Sequence, residues 1–288
     1  MGETRPFYED VQAHYDLSND LCALFLDPSM TYSCAYFERE DMSLEEAQLA
    51  KIDLALGKCD LQAGMTLLDI GCGWGSTARR AASKYDTHVI GLTLSVNQHE
   101  WAMRSFREVP TRAGAVDIRL QGWEEFDEPV DRIVTIGAFE HFRVKRFPMF
   151  FDRCRSILPS RGRMLLHTIL QRSWQELNRE GVRIDHETVE FAKFVRKSIF
   201  PGGQLVAAPA VIKHAARAGF ECIQTESLRP HYAKTLDHWA VSLEAARDEA
   251  IAITSRETYD TYMRYLTGCA EQFRVGSIDV MQFTLSRT

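Results

Sequence analysis

From Met65 onward, short aliphatic or β-branched runs alternate with helical stretches, and this alternation limits the fold more than any other feature of the chain. The runs are "TLLDIG", "THVIGLTL", "VDIRLQG", "DRIVTIGA", "GRMLLHTIL" and "FECIQTESL". Strands separated by helices imply an α/β fold, with a mostly parallel sheet covered by helices. A last run, "IDVMQFTL" after Gly276, fits an antiparallel strand closing the edge. The first sixty residues read as helical, with a capping box at Ser43 and Glu46 opening a helix through Leu49, Ile52 and Leu56. The stretch from Arg172 to about Phe200 is long for a connection and reads as inserted helices of the kind that cover substrates in α/β proteins. No repeat or linker marks a boundary. Residues 1–288 therefore read as one domain, with an N-terminal cap over 1–60 and a lid over 171–204.

A chain of 288 residues, 45% apolar and 26% charged, can bury a sizeable core. Its net charge of −6, with basic residues scattered, disfavours a nucleic-acid partner. No transmembrane run and no signal-peptide profile are visible, so a cytoplasmic protein is expected, with at most peripheral membrane contact. The seven cysteines, at 22, 34, 59, 72, 154, 222 and 269, form an odd set without CxxC spacing. That pattern argues against a disulfide framework and a zinc site, and no metal is expected.

"LLDIGCGWG" joins an apolar strand to Asp69 and to glycines at 71, 73 and 75, which open the next helix. A dinucleotide fingerprint would need a third small residue at position 76, where Ser76 stands, so that test alone does not exclude it. The D-x-G-x-G-x-G spacing resembles motif I of class I S-adenosylmethionine-dependent methyltransferases. The acid suits the amino group of that cofactor. In this fold the next strand usually ends in an acid that takes the ribose hydroxyls. Here "GLTLSVNQ" has none, which leaves Thr93, Asn97 or Gln98 to meet them, with Leu94 and Ser95 between. In "GWEEFD", Trp123 can stack on an adenine ring and Glu124 can accept from its amino group.

"GAFEHF" places Glu140 and His141 side by side where a strand ends, between two phenylalanines. Either group could move protons. Together with "HYDLSNDLCALFLDPSMTYSCAYF", "LLDIGCGWG", "IFPGG", "HYAKTLDHW" and "YMRYLTGCAEQFRVGSIDVMQF", this stretch resembles the mycolic acid cyclopropane synthases of the cyclopropane-fatty-acid synthase family, over essentially the whole chain. The resemblance implies a class I methyltransferase that transfers the sulfonium methyl of S-adenosylmethionine to a cis alkene in a long acyl chain, then closes a cyclopropane ring. It further implies that the base is a bound bicarbonate, held by Glu140, His167 and Tyr232 and by the backbone amides of Cys34 and Ile136. Tyr32, Ser33 and Trp74 would touch the cofactor, as would Ile136. Cys269 matches a cysteine once proposed as a nucleophile; direct methyl transfer to carbon needs no thiolate, and packing is the preferred reading.

A carbocation must be kept from water and surrounded by π faces. Tyr15, Tyr32, Phe142, Phe200 and Tyr265 are candidates for that cage, and Leu205 and Leu236 for the acyl tunnel. His167, alone on the apolar strand "MLLHTIL", would ordinarily be a satisfied core residue. Only the resemblance gives it a site role and favours ring closure over hydroxylation. Two places depart from the family pattern: Arg143 and Phe147 in "RVKRFPMFF", and Gln204 and Val206 in "GGQLVA". Both bear on chain or carrier specificity. An insoluble acyl chain is expected to arrive on an acyl carrier protein, with Arg179, Arg183, Lys193, Arg196 and Lys197 facing its acidic surface. Other readings are a methyl-branched or hydroxylated product, a phospholipid acyl substrate, methylation of oxygen or nitrogen in a small molecule, and an idle lipid-binding protein on the same scaffold.

Overall fold

A computed structural model of the chain describes residues 19–108 and 115–288. Seven strands form one sheet: β1 (Thr66–Ile70), β2 (His88–Thr93), β3 (Val116–Leu120), β4 (Arg132–Ile136), β5 (Arg163–Gln171), β6 (Phe220–Ser227) and β7 (Ile278–Arg287). Their order is β3-β2-β1-β4-β5-β7-β6, with β1 to β5 parallel and β7 antiparallel to both of its neighbours. Strand β7 is therefore antiparallel as expected but does not close the edge. It inserts between β5 and β6, and the reason lies in the side chains. In β7, Val280, Phe283 and Leu285 are fully buried, whereas most of the polar β6 run stays at least partly exposed, as suits an edge strand.

Alternate residues of each strand face opposite sides. Leu68, Ile133 and Leu166 join the core under α5 (Phe147–Ile157) and α8 (Ala208–Arg217). Leu67, Val134 and Leu165 join the core under α2 (Leu44–Lys58), α3 (Ser76–Tyr85) and α4 (Val96–Glu108). A third core, over the C-terminal ends of the strands, packs α1 (Asn19–Ala23) against α9 (Arg229–Ala245), α10 (Arg247–Ile253) and α11 (Arg256–Val275). The inserted segment forms α6 (Trp174–Arg179) and α7 (His186–Ser198).

The capping box at α2 forms as read from the sequence, with Ser43 Oγ accepting from Glu46 N and Glu46 Oε2 from Ser43 N. The helical reading of the first sixty residues fails between α1 and α2, where the chain is irregular. The Asp27 carboxylate accepts from the amides of Ser29 (3.0 Å) and Thr31 (3.1 Å), folding "DPSMT" into a turn that competes with helix. This turn delivers Thr31, Tyr32 and Ser33 to the end of the sheet.

Candidate active site

Two cavities open where β1, β4 and β5 end. The smaller, of about 120 Å³, is lined by Tyr32, Ser33, Asp69, Gly71, Gly73, Trp74, Thr93, Leu94, Gln98, Trp123 and Ile136 among others. Gly71, at φ +78°, brings β1 so close to the next loop that an added Cβ would lie 2.4 Å from Ala138 Cβ. At Gly73 an added Cβ meets nothing within 4 Å, so the backbone there is bare toward the cleft. Asp69 is buried and its Oδ2 has no hydrogen-bond partner. Burial pushes this carboxyl up to about 7, against the pull of Lys51. Lys51 is itself fully buried beside the cleft, gives a hydrogen bond to Ser33 Oγ (2.8 Å), and is pushed down to about 8 by burial. No motif in the sequence marks Lys51, because a lysine inside a helix ordinarily reads as solvated.

At the ribose side, Thr93 Oγ1 donates to Gln98 Oε1 (2.8 Å), so the side chains that replace the missing acid are held together. Four residues expected at the cofactor do not line the cleft. Gly75 is the left-handed residue before α3, and the Ser95 hydroxyl accepts from Gln98 N (3.2 Å) to cap α4. Asn97 lies along α4, its carbonyl toward Asn19. Glu124 is paired with Arg146 (2.8 Å) in a buried bridge that leaves Glu124 Oε2 without a partner. The carboxylate expected to read the adenine amino group is therefore taken up by Arg146, and of Trp123 and Glu124 only Trp123 faces the cleft. Bare glycine backbone, an unsatisfied Asp69 oxygen and the Trp123 aromatic face thus fit an adenosyl amino acid.

The larger cavity, of about 1060 Å³, is mostly apolar and runs beneath α6 and α7. Leu205, Leu236, Phe200, Tyr265 and Cys269 line it, as do Glu140, His167, Tyr232 and Cys34. Phe200 meets Tyr265 edge-on (5.7 Å), and Tyr32 packs on Trp239 (5.2 Å), which the sequence reading missed. Phe142 lies elsewhere: it lines the cofactor cleft and packs on Trp123 (5.5 Å) and Phe150 (5.0 Å), because the 3-10 turn over Phe139–His141 turns it into that aromatic cluster. Tyr15 lies outside the described residues. Helix α7 has no buried residue; Phe191 lines the cavity and packs so closely on Gly268 that a Cβ there would lie 2.2 Å from the ring.

Glu140 enters this cavity from the turn after β4. Its Oε1 accepts from Ile169 N (2.6 Å), its Oε2 is buried without a partner, and burial raises its carboxyl to about 7. Burial also holds His167 well below its ordinary range, with Lys51 and Lys58 acting in the same direction, so the ring is neutral. The Tyr232 hydroxyl is likewise held un-ionised by burial. The neutral His167 ring and the Tyr232 hydroxyl can each donate, and Glu140 Oε2 is an acceptor without a partner, in a cavity whose lining also includes Arg172, Lys193 and Arg196. His141 lines both cavities; burial lowers it to about 4, so it stays neutral. The two departures from the family pattern meet in space, for Gln204 Oε1 accepts from Val144 N (3.0 Å) and Gln204 N donates to the Glu140 carbonyl (3.1 Å). Cys269 is a thiol raised to about 12 by burial, so Cys269→Ala is expected to keep turnover within about threefold in a methyl-transfer assay.

Tyr32, Ser33, Gly137 and His141 line both cavities, so the cofactor cleft opens directly onto the apolar chamber. Residues 3–283 match the family described as mycolic acid cyclopropane synthetase. The chain belongs to that family. It is similar to cyclopropane mycolic acid synthase 3 of Mycobacterium tuberculosis, 56% identical over 282 residues and covering 98% of each chain. The solved cyclopropane synthase MmaA2 from Mycobacterium tuberculosis superposes with a TM-score of 0.96 at 56% identity, over 98% of this chain and 99% of that one. The mycolic acid cyclopropane synthase CmaA1, solved in complex with SAH and CTAB, gives 0.94 at 53% identity, over 98% and 99%. The protein is an S-adenosylmethionine-dependent methyltransferase of the cyclopropane synthase type, with the class I methyltransferase fold. Among the described residues no helix is long and apolar enough to cross a membrane, and no His, Cys, Asp and Glu cluster could hold a metal.

Proposed function

We propose that the protein methylates a cis double bond of a long, mycolic-type acyl chain and closes a cyclopropane ring with a bound bicarbonate as base. The observation that carries this reading is the junction of the two cavities. There a cleft suited to the cofactor meets a long apolar chamber, with Glu140, His167 and Tyr232 in the chamber wall. S-adenosylmethionine would supply an electrophilic methyl group, and bicarbonate a base smaller than any side chain.

The chain's own residues would do the rest. Asp69 holds the cofactor's amino group, Gln98 and Thr93 its ribose, and Trp123 its adenine. An alkene is a weak nucleophile and the cation it leaves is captured by any water, so the chamber must be dry. Leu205, Leu236, Phe200 and the lid residue Phe191 exclude water, and Tyr32 and Tyr265 offer π faces to the cation. His167 and Tyr232 donate hydrogen bonds to the anion, as do the amides of Cys34 and Ile136. Glu140 accepts from the anion's hydroxyl through the oxygen that has no other partner.

The acyl chain would be presented on an acyl carrier protein in the cytoplasm. Supporting this, Arg179, Arg183, Lys193, Arg196 and Lys197 are all exposed on the segment that roofs the chamber, beside the exposed Trp174. Incubation with methyl-labelled cofactor and a carrier-bound long cis alkene tests the whole reading. Cyclopropane protons in the product by NMR, with the label in the ring, are the expected result. A labelled methyl branch would replace ring closure with deprotonation elsewhere, and label on oxygen or nitrogen would reject carbon methylation.

A further inference from the structure

Behind His167 runs a row of polar side chains that the reaction as described does not use. The sheet register sets it up: His167 on β5 stands directly opposite Gln282 on β7, and Gln282 stands opposite Glu226 on β6. Residues opposite one another on neighbouring strands project to the same side. His167 shares its side with Leu165, which faces α2, and Lys58 ends that helix. Lys58 Nζ donates to Gln282 Oε1 (2.6 Å) and pairs with Glu226, while Gln282 Nε2 lies 3.3 Å from His167 Nδ1. His167 and Gln282 are each 1% exposed.

The chemistry of the three groups leaves a single consistent arrangement. An ammonium has only donors, so it must meet the amide oxygen of Gln282. That turns the NH2 group, which also has only donors, toward the imidazole. Nδ1 can then take part only as an acceptor, and the proton of the neutral ring must sit on Nε2. An imidazolium would set two donors face to face beside the Lys58 charge. We propose that Gln282 and Lys58 are positioning residues for His167, holding it as the neutral Nε2–H tautomer so that it offers the chamber a hydrogen-bond donor and never a base. The proposal rests on the reading that His167 holds an anion, and it adds how the donor is kept a donor. Glu226 and Lys51 complete the charged surroundings: Glu226 neutralises Lys58 from the sheet edge, and Lys51 adds a second positive field against protonation of the ring. Metal-ligating histidines use the same device, in which a hydrogen bond at one ring nitrogen sets what the other can do.

Ring-nitrogen NMR of the ligand-free protein, labelled in histidine, reads the tautomer directly; His167→Asn assigns the resonance. The native chain is expected to show a proton on Nε2 and a bare Nδ1. Gln282→Glu keeps the size and the Lys58 contact but replaces the donor by an acceptor, so the proton should move to Nδ1. Turnover should then fall roughly ten- to a hundredfold, the loss of one hydrogen bond to a charged group, with cofactor affinity unchanged. Lys58→Met frees the amide to rotate and should give a mixture of both tautomers with a smaller loss. If Gln282→Glu fails to fold by circular dichroism, Lys58→Met and the native spectrum still decide the matter. A native proton on Nδ1 would overturn the proposal, as would Gln282→Glu or Lys58→Met keeping the native tautomer. Failure of the bicarbonate reading would look different: turnover would ignore added or depleted bicarbonate while the tautomer still reversed in Gln282→Glu, which supports the positioning role.

Discussion

Glu140→Gln is expected to lose about two to three orders of magnitude in turnover and to leave cofactor affinity within about twofold. The same substitution should make the protein more stable. The two signs follow from one cause. Glu140 is a buried carboxyl with one oxygen on the Ile169 amide and the other unsatisfied, and burial raises it from 4.5 to about 7. A carboxyl whose folded value lies above its unfolded value favours the fold while protonated. Its contribution is complete below about 4.5 and is lost as the pH rises through about 7. Above that, the native chain keeps an uncompensated charge in an apolar wall, and the amide variant does not. Denaturation of the two at about pH 8 should favour the variant by on the order of 2 kcal/mol, and the advantage should vanish near pH 4. Turnover runs the other way. The carboxylate accepts from the anion's hydroxyl only when ionised, so kcat/KM of the native enzyme should rise with pH through about 7. A merely structural Glu140 would give the opposite pattern: stability lost on substitution and turnover little changed.

How far this site was legible in the sequence depends on how local each determinant is. Strands β1 to β5 announce themselves through short aliphatic runs, and the glycine turn after β1 through spacing, because both are set by neighbouring residues. Glu140 was readable at the end of β4 for the same reason. His141 stands beside it in sequence, yet the turn of the chain gives His141 to the cavity junction and leaves Glu140 in the chamber wall with His167, which lies one strand over. No pattern within "MLLHTIL" separates a working histidine from a satisfied one; that distinction came from likeness to a family.

The position of β7 between β5 and β6 was beyond local signals, since strand order is decided by which surfaces need burial. With it went the contact of Gln282 with His167, because the two are 115 residues apart and meet only through antiparallel register. Phe142 shows the limit from the other side. It was read as part of the cation cage, but one turn of 3-10 helix aims it at Trp123 and not into the acyl chamber. Lys51 was invisible for a related reason: nothing in the run of its helix sets this lysine apart from the other polar residues, and only packing shows that it points inward.

Asp69→Asn is expected to weaken S-adenosylmethionine by about one to two orders of magnitude, the value of a charge-assisted hydrogen bond made in a buried site. Without cofactor, Asp69 is raised to about 7 because its charge is buried with Oδ2 unpaired and only Lys51 offsets it. A cationic amino group arriving at that oxygen would draw the carboxyl back down. Binding near neutral pH should therefore release a proton, and affinity should increase with pH through about 7 before the cofactor's own amine titrates. Calorimetry in two buffers of different ionisation enthalpy measures that proton directly. The native chain should release a fraction near one half at about pH 7; Asp69→Asn should release none from this group, with affinity flat over the same range. Equal proton release in both would remove Asp69 from the amino-group contact. Lys51 then gains a defined part as well, because Lys51→Met removes the counter-charge and should push the Asp69 transition to higher pH without abolishing it. Asp69 and Glu140 thus face the same problem at opposite ends of the junction. Each is a carboxyl kept raised by burial until a ligand with something to donate arrives, so the folded chain carries two unmet hydrogen-bond demands where its substrates are to sit.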